Sequence, residues 1–268
     1  MPNFICVTCG VQYPESETPP AYCPICEDER QYVNPAGQQW TTLEDLRREH
    51  QNIITEVEPG LHSIRSEPRV AIGQSAHLVK TPNGNVLWDC ITLLDDATIE
   101  ALNKLGGINA IAISHPHFYS TVVEWSRAFG NIPVYLHAAD RQHMQRPDPV
   151  IVFWEGETRK LLDDVTIIRC GGHFEGSSVL HWAGGAEGKG VILTGDTVDV
   201  VADQRYVTFM RSFPNYIPLN ASTVRKIVQA LEPFDFERIY ESFGNVVKPD
   251  GKAAVQRSAE RYIKAISE

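Results

Sequence analysis

Two cysteine doublets in the first 26 residues, Cys6-Val7-Thr8-Cys9 and Cys23-Pro24-Ile25-Cys26, constrain this chain more than any other feature. A CxxC turn points two thiolates from one tight loop at a common centre. Two such turns, here 13 residues apart, supply the four tetrahedral ligands of a closed structural metal site. The competing readings are two disulfides or unliganded thiols. A chain of 268 residues buries enough surface to hold a core without disulfide staples, and Cys90 and Cys170 stand singly inside apolar segments. The pattern therefore predicts one ion held by Cys6, Cys9, Cys23 and Cys26 in a reducing, cytoplasmic setting. The expected ion is Zn2+, with a rubredoxin-like iron as the alternative, because thiolate tetrahedra suit both metals. Gly10 supplies the backbone freedom such a knuckle needs. Residues 1–33 carry too few large apolar side chains for a core of their own, so this module should not hold a fold without its metal. Its expected role is structural, with lid-forming and dimer-forming roles open to it.

The rest of the composition is that of a folded protein, with 43% hydrophobic and 22% charged residues. A formal net charge of −10 argues against nucleic acid or anionic lipid as a partner, since phosphate binding needs a basic face. No apolar run approaches the roughly 18 residues of a membrane span. The first residues lack the basic flank and apolar core of a secretory leader. The expected partner is a small-molecule substrate.

Along the chain, Thr41-Thr42-Leu43-Glu44 reads as a capping box that opens a short charged helix through about His50. Residues 76–80 and 86–90 read as a hairpin around Asn83-Gly84. Strands and helices then alternate: a helix from Asp95 to Leu105, a buried strand from Ile108 to Ile113, a helix over 120–129, a strand over 134–136 and a helix from Ala138 to Gln145. Further strands are expected at 165–169, 179–183 and 191–194, and a closing helix presents Val255, Ala259, Tyr262, Ile263 and Ile266 on one face. The texture is α/β, with layered sheets and helices outside.

Nine histidines are present. His50 and His143 lie on polar helix faces, and His62, His77, His137 and His181 lie on strands or strand ends, where packing and hydrogen bonding account for them. His115 and His117 differ. They sit two apart just past a buried strand, so both imidazoles can face one ion. His173 follows a second strand end and Asp196 a third. Core packing alone does not predict three strand ends that each deliver a ligand to one rim.

The segments Leu87-Trp88-Asp89, His115-Pro116-His117, Gly172-His173-Phe174-Glu175-Gly176-Ser177 and Gly195-Asp196-Thr197 resemble, in order and spacing, the metallo-β-lactamase superfamily over about residues 55–268. The resemblance implies a four-layer αββα sandwich preceded by the zinc-ribbon-like module, hence residues 1–33 as module, 34–54 as linker helix and 55–268 as the main domain. It implies a metal site at one edge between the sheets, and in most members hydrolysis of ester, thioester, lactone, β-lactam or phosphodiester bonds. It also exposes departures. The positions that bind a second metal in the superfamily hold Tyr119, Ser120 and Phe243, so the expected centre is mononuclear, with His115, His117, His173 and Asp196 around one Zn2+ or Fe2+. A Zn2+-bound water with its pKa lowered to about 7 would supply hydroxide, Asp196 would ligate or accept a proton, and Tyr119 would donate to a developing oxyanion. The alternatives are an Fe(II) oxygenase, sulfur-dioxygenase-like, built on two histidines and Asp196, and a catalytically silent metal-binding regulatory protein. Trp125, Phe153, Trp154, Phe209, Phe213 and Tyr216 are candidates for an apolar pocket, and Arg205 and Arg211 for a charged lid over 203–220.

Overall fold

The computed structural model describes residues 1–267. Two mixed sheets pack face to face. The first has seven strands, in spatial order Ile151–Trp154, Val134–His137, Ala110–Ala112, Gly84–Trp88, Ala76–Thr81, Leu61–Glu67 and Gln51–Glu58. The second has six, in order Thr158–Leu162, Val165–Arg169, Ser178–Trp182, Val191–Leu193, Arg238–Tyr240 and Val246–Val247.

The period-2 alternation of strand side chains assigns the layers. Val79, Val86, Trp88 and Ala112 of the first sheet meet Val165, Ile167, Leu180, Val191 and Leu193 of the second in one buried cluster between the sheets. Their neighbours Leu78, Leu87 and Ile111 point the other way, onto Leu102 of the helix Asp96–Lys104 and Val122, Val123 and Trp125 of the helix Val122–Ala128. On the second sheet, Ile168, Val179, Ile192 and Ile239 turn outward beneath Val224, Ile227 and Leu231 of the helix Ala221–Leu231 and Val255 and Ala259 of the helix Gly251–Ser267. Helix, sheet, sheet, helix is the expected αββα order.

The local signals resolve with shifts of a few residues. Thr42, rather than Thr41, caps the first charged helix, Leu43–Glu49, by accepting from Asp45 N. In the hairpin, Gly84 alone of the Asn83-Gly84 pair takes a positive φ (132°). Ala138–His143 is a 3-10 helix rather than a longer α-helix. Within the stretch read as linker, Trp40–Thr41 pairs with Asn3–Cys6 of the module sheet, and Gln51 already opens the first strand of the seven-stranded sheet. The strands at 51–58 and 61–67 carry polar residues on one face and escaped the apolar-run signal.

Cys6, Cys9, Val11, Tyr13, Cys23, Ile25 and Cys26 are continuous with the core beneath the first sheet, so the module borrows the large domain's interior instead of building one. Gln12 N donates to Ser120 O (3.1 Å), and Arg146 joins Gln12 to Glu124. Gly10 lies at φ 80°, where a Cβ would stand 2.1 Å from Thr92 Oγ1, so only glycine permits this approach.

Candidate metal centres

In the module, Cys6 Sγ lies 3.6 Å from Cys26 Sγ, and Cys9 Sγ 3.6 Å from Cys23 Sγ. A disulfide bond is about 2.05 Å long. A tetrahedron of sulfurs about 2.3 Å from zinc has edges near 3.8 Å. The spacing fits the ion and excludes the disulfides. Tyr13 Oη donates to Cys23 Sγ (3.1 Å) and Gln38 Nε2 to Cys6 Sγ (3.3 Å), the outer hydrogen bonds that steady thiolate ligands.

The central group forms where strands of both sheets end at one rim. His115 and His117 follow Ala110–Ala112, His173 follows Val165–Arg169, and Asp196 follows Val191–Leu193. Ser178 N donates to Ser114 O (3.0 Å) and Ser75 N to Ser242 O (2.7 Å), stitching the sheets together beside the site. Gly195, at φ 51°, lets the Asp196 turn press against Ser114, whose Oγ a Cβ would meet at 2.4 Å.

His117 Nδ1 lies 3.2 Å from His173 Nε2, and Asp196 Oδ2 lies 3.5 Å from His115 Nε2 and 3.7 Å from His173 Nε2. Tetrahedral edges for ligands at 2.0–2.1 Å are about 3.4 Å, so these atoms stand where one ion needs them. His115 Nε2 is buried with no hydrogen-bond partner, an orphan that an ion would satisfy. His173 Nδ1 donates to Met210 O (3.2 Å), which leaves the Nε2 lone pair free. Ser114 Oγ lies 2.8 Å from His115 Nδ1 and orients that ring.

Burial dominates the electrostatics. It pushes His173, with His115 beside it, down to about 3, and moves His117 well below the usual range, with His173 and His115 adding to the effect. Both imidazoles are therefore neutral, the ligating form. Burial alone would raise Asp196, but His115 beside it outweighs this and holds the carboxyl below its ordinary value. Asp89, fully buried at φ 61°, accepts from Ser114 N (2.7 Å) and is pushed up to about 7 by burial.

Tyr119 is buried and lines a small hollow with Val11, Gln12, Met144 and Arg146. Ser120 Oγ donates to Cys90 O and accepts from Gln74 Nε2 (each 3.2 Å), and Phe243 is half-exposed. Of the aromatic candidates, Trp125, Trp154 and Phe209 are core residues, while Tyr216 is exposed. Arg211 binds Glu29 and Arg205 binds Asp203, so neither is a free lid cation. One residue beside the site carried no sequence signal of its own. Arg30, at the end of the charged run after Cys26, places its guanidinium 3.9 Å above the ring of Phe174, which itself contacts His115, His117 and His173.

No family model matches the chain. It is 53% identical over 269 residues to the uncharacterized protein YmaE of Bacillus subtilis (strain 168), covering 100% of this chain and 98% of that one. Among solved structures it is similar to VMB-1 (14% identical, TM-score 0.62, covering 81% of this chain and 99% of that one). It is also similar to the metallo-β-lactamase FIM-1 of Pseudomonas aeruginosa in a mono-zinc form (19%, TM-score 0.58, 80% and 96%). A third is the metallo-β-lactamase DIM-1 (14%, TM-score 0.61, 81% and 98%). With its four-cysteine module in front and its histidine–aspartate rim between two sheets, the chain belongs to one family with YmaE, and its fold is the metallo-β-lactamase fold.

Proposed function

We propose that this protein is a metal-dependent hydrolase of small-molecule ester, thioester or lactone bonds, working at a mononuclear centre held by His115, His117, His173 and Asp196. The observation that carries the reading is the convergence of three imidazoles and one carboxylate at the spacing of a single coordination sphere, with His115 Nε2 buried and otherwise unpartnered. A divalent ion bound there supplies Lewis acidity and activates water near neutral pH. Ser114 and the Met210 carbonyl hold two of the rings in place. Asp196, kept ionised by His115 beside it, would complete the ligand set. The mononuclear state is supported by the three places where the superfamily keeps its other ligands. Ser120 is tied to Cys90 and Gln74, Tyr119 lines a hollow with Arg146, and Phe243 offers only a phenyl ring. FIM-1 has been crystallised with one zinc in this fold, a precedent for such a state.

The test is metal content together with turnover. Purified protein should hold two metals per chain, one in each cluster. A His115→Ala/His117→Ala variant should hold one, remain folded and lose hydrolysis across an ester, thioester and lactone panel. Two ions a few ångströms apart at His173 would overturn the mononuclear reading. Oxygen uptake with iron bound, or no turnover across the panel, would overturn hydrolysis.

A further inference from the structure

The segment from Asp28 to Gln31, just beyond the four-cysteine module, is fastened to the loop at 210–215 of the main domain. Ser212 Oγ donates to Arg30 O (3.0 Å), and Asn215 Nδ2 donates to Glu29 O (3.0 Å) and Gln31 O (2.9 Å). Arg211 Nε donates to Glu29 Oε1 (2.7 Å). Every one of these contacts engages the backbone around Arg30 or the side chain before it. The Arg30 side chain itself is only 13% exposed and sets its guanidinium carbon 3.9 Å over the Phe174 ring. That ring contacts all three ligating imidazoles, so the guanidinium stands one ring's width from the ligand set. Its Nε lies 3.0 Å from Asp28 Oδ1 but is out of line for a hydrogen bond. Among the described residues its two terminal nitrogens donate to no protein acceptor, and unlike Nε they are not sealed from solvent.

A guanidinium whose terminal nitrogens meet only solvent leaves its fork open to a ligand. Resting on the metal-centre reading above, we propose that Arg30 is a specificity residue, contributed by the four-cysteine module, that binds a carboxylate of the substrate while the substrate's reacting group faces the central metal. Asp28, Arg211, Asp140 and Glu29 all act on the guanidinium, and this surplus of acids disfavours a dianion. The fork geometry of arginine matches a carboxylate through two parallel hydrogen bonds. The module is thereby a wall of the site, and its metal sets where Arg30 points.

Two thiols test this on the metal-loaded protein without any assumption about the reaction. Mercaptoacetate and the uncharged 2-mercaptoacetamide offer the central metal the same sulfur, and only the first offers a carboxylate. Calorimetric titration should show the wild type preferring mercaptoacetate about tenfold or more. An Arg30→Gln variant should lose that preference while binding mercaptoacetamide as the wild type does, and Arg30→Lys should recover part of it. Equal affinities for both thiols in the wild type, or an Arg30→Gln change that weakens both alike, would overturn the assignment while leaving the metal centre standing. Failure of both thiols to bind metal-loaded wild type would overturn the metal-centre reading and the Arg30 assignment together.

Discussion

His77 shows what burial does to a single group. It lies in the strand Ala76–Thr81, 5% exposed, beside Tyr240, and burial pushes its imidazole down to about 4 from 6.5. A base whose folded pKa is lowered contributes stability that is fully present above its unfolded pKa and is lost as pH falls toward the folded value. Between pH 7 and pH 4 the wild type should therefore lose about 2–3 kcal/mol relative to a His77→Leu variant, which has no proton to take up there. Urea unfolding of both proteins at the two pH values measures this, and a gap that stays constant with pH would refute it. The doublet at 115 and 117 was legible because its spacing has a geometric meaning. Asp140 was not. Its Oδ1 accepts from Gly176 N (2.8 Å), a partner 36 residues away that local pattern cannot supply.

At the scale of elements, the four-cysteine module is the unit with the most at stake. Its strands are four residues long, its one helix spans only Pro24–Glu27, and its apolar residues finish a core that the main domain began. Such a unit would be held by an ion on its four cysteines and by docking rather than by helix or strand propensity. A Cys6→Ser/Cys23→Ser variant should bind about one metal equivalent fewer per chain than the wild type. Its segment 28–33 should become a preferred site of limited proteolysis, since the turn that carries Cys23 and Cys26 leads straight into it. Elemental analysis and mass mapping of the fragments check both effects; an unchanged metal count would show that the thiolates hold no ion. Doublet spacing made the module legible. Its docking face was not, because Gln12, Arg146 and Glu124 are ordinary polar residues until the fold brings them together.

For the whole molecule, net charge and layer order carry the argument. With −10 spread over 268 residues, long-range electrostatics repel polyanions, and local cations such as Arg211, Arg205 and Arg238 are already paired with Glu29, Asp203 and Glu58. The protein should show no micromolar binding to RNA or DNA at physiological salt in a fluorescence titration. Salt-sensitive micromolar binding would contradict this and point to phosphodiesters as substrates. Among the described residues no helix is long and apolar enough to cross a membrane.

What the sequence determined by itself was local and periodic. Strand alternation set which side chains could face the sheet interior, cap residues such as Asp95 set where helices begin, and two-residue spacings let pairs of ligands share a direction. Those signals were enough for layered sheets with helices outside and for the four clustered cysteines, and the motifs that resemble the metallo-β-lactamase superfamily added the αββα order and the histidine–aspartate group. The tertiary structure decided everything that depends on distance in space between residues distant in the chain. It placed Tyr119 among Val11 and Arg146, enlisted Arg211 as the partner of Glu29, and laid Arg30 from the front of the chain across the ring of Phe174. The physical reason is that a ligand at a strand end is aimed by its own backbone, whereas a side chain that crosses from one unit to another is aimed by the packing of both.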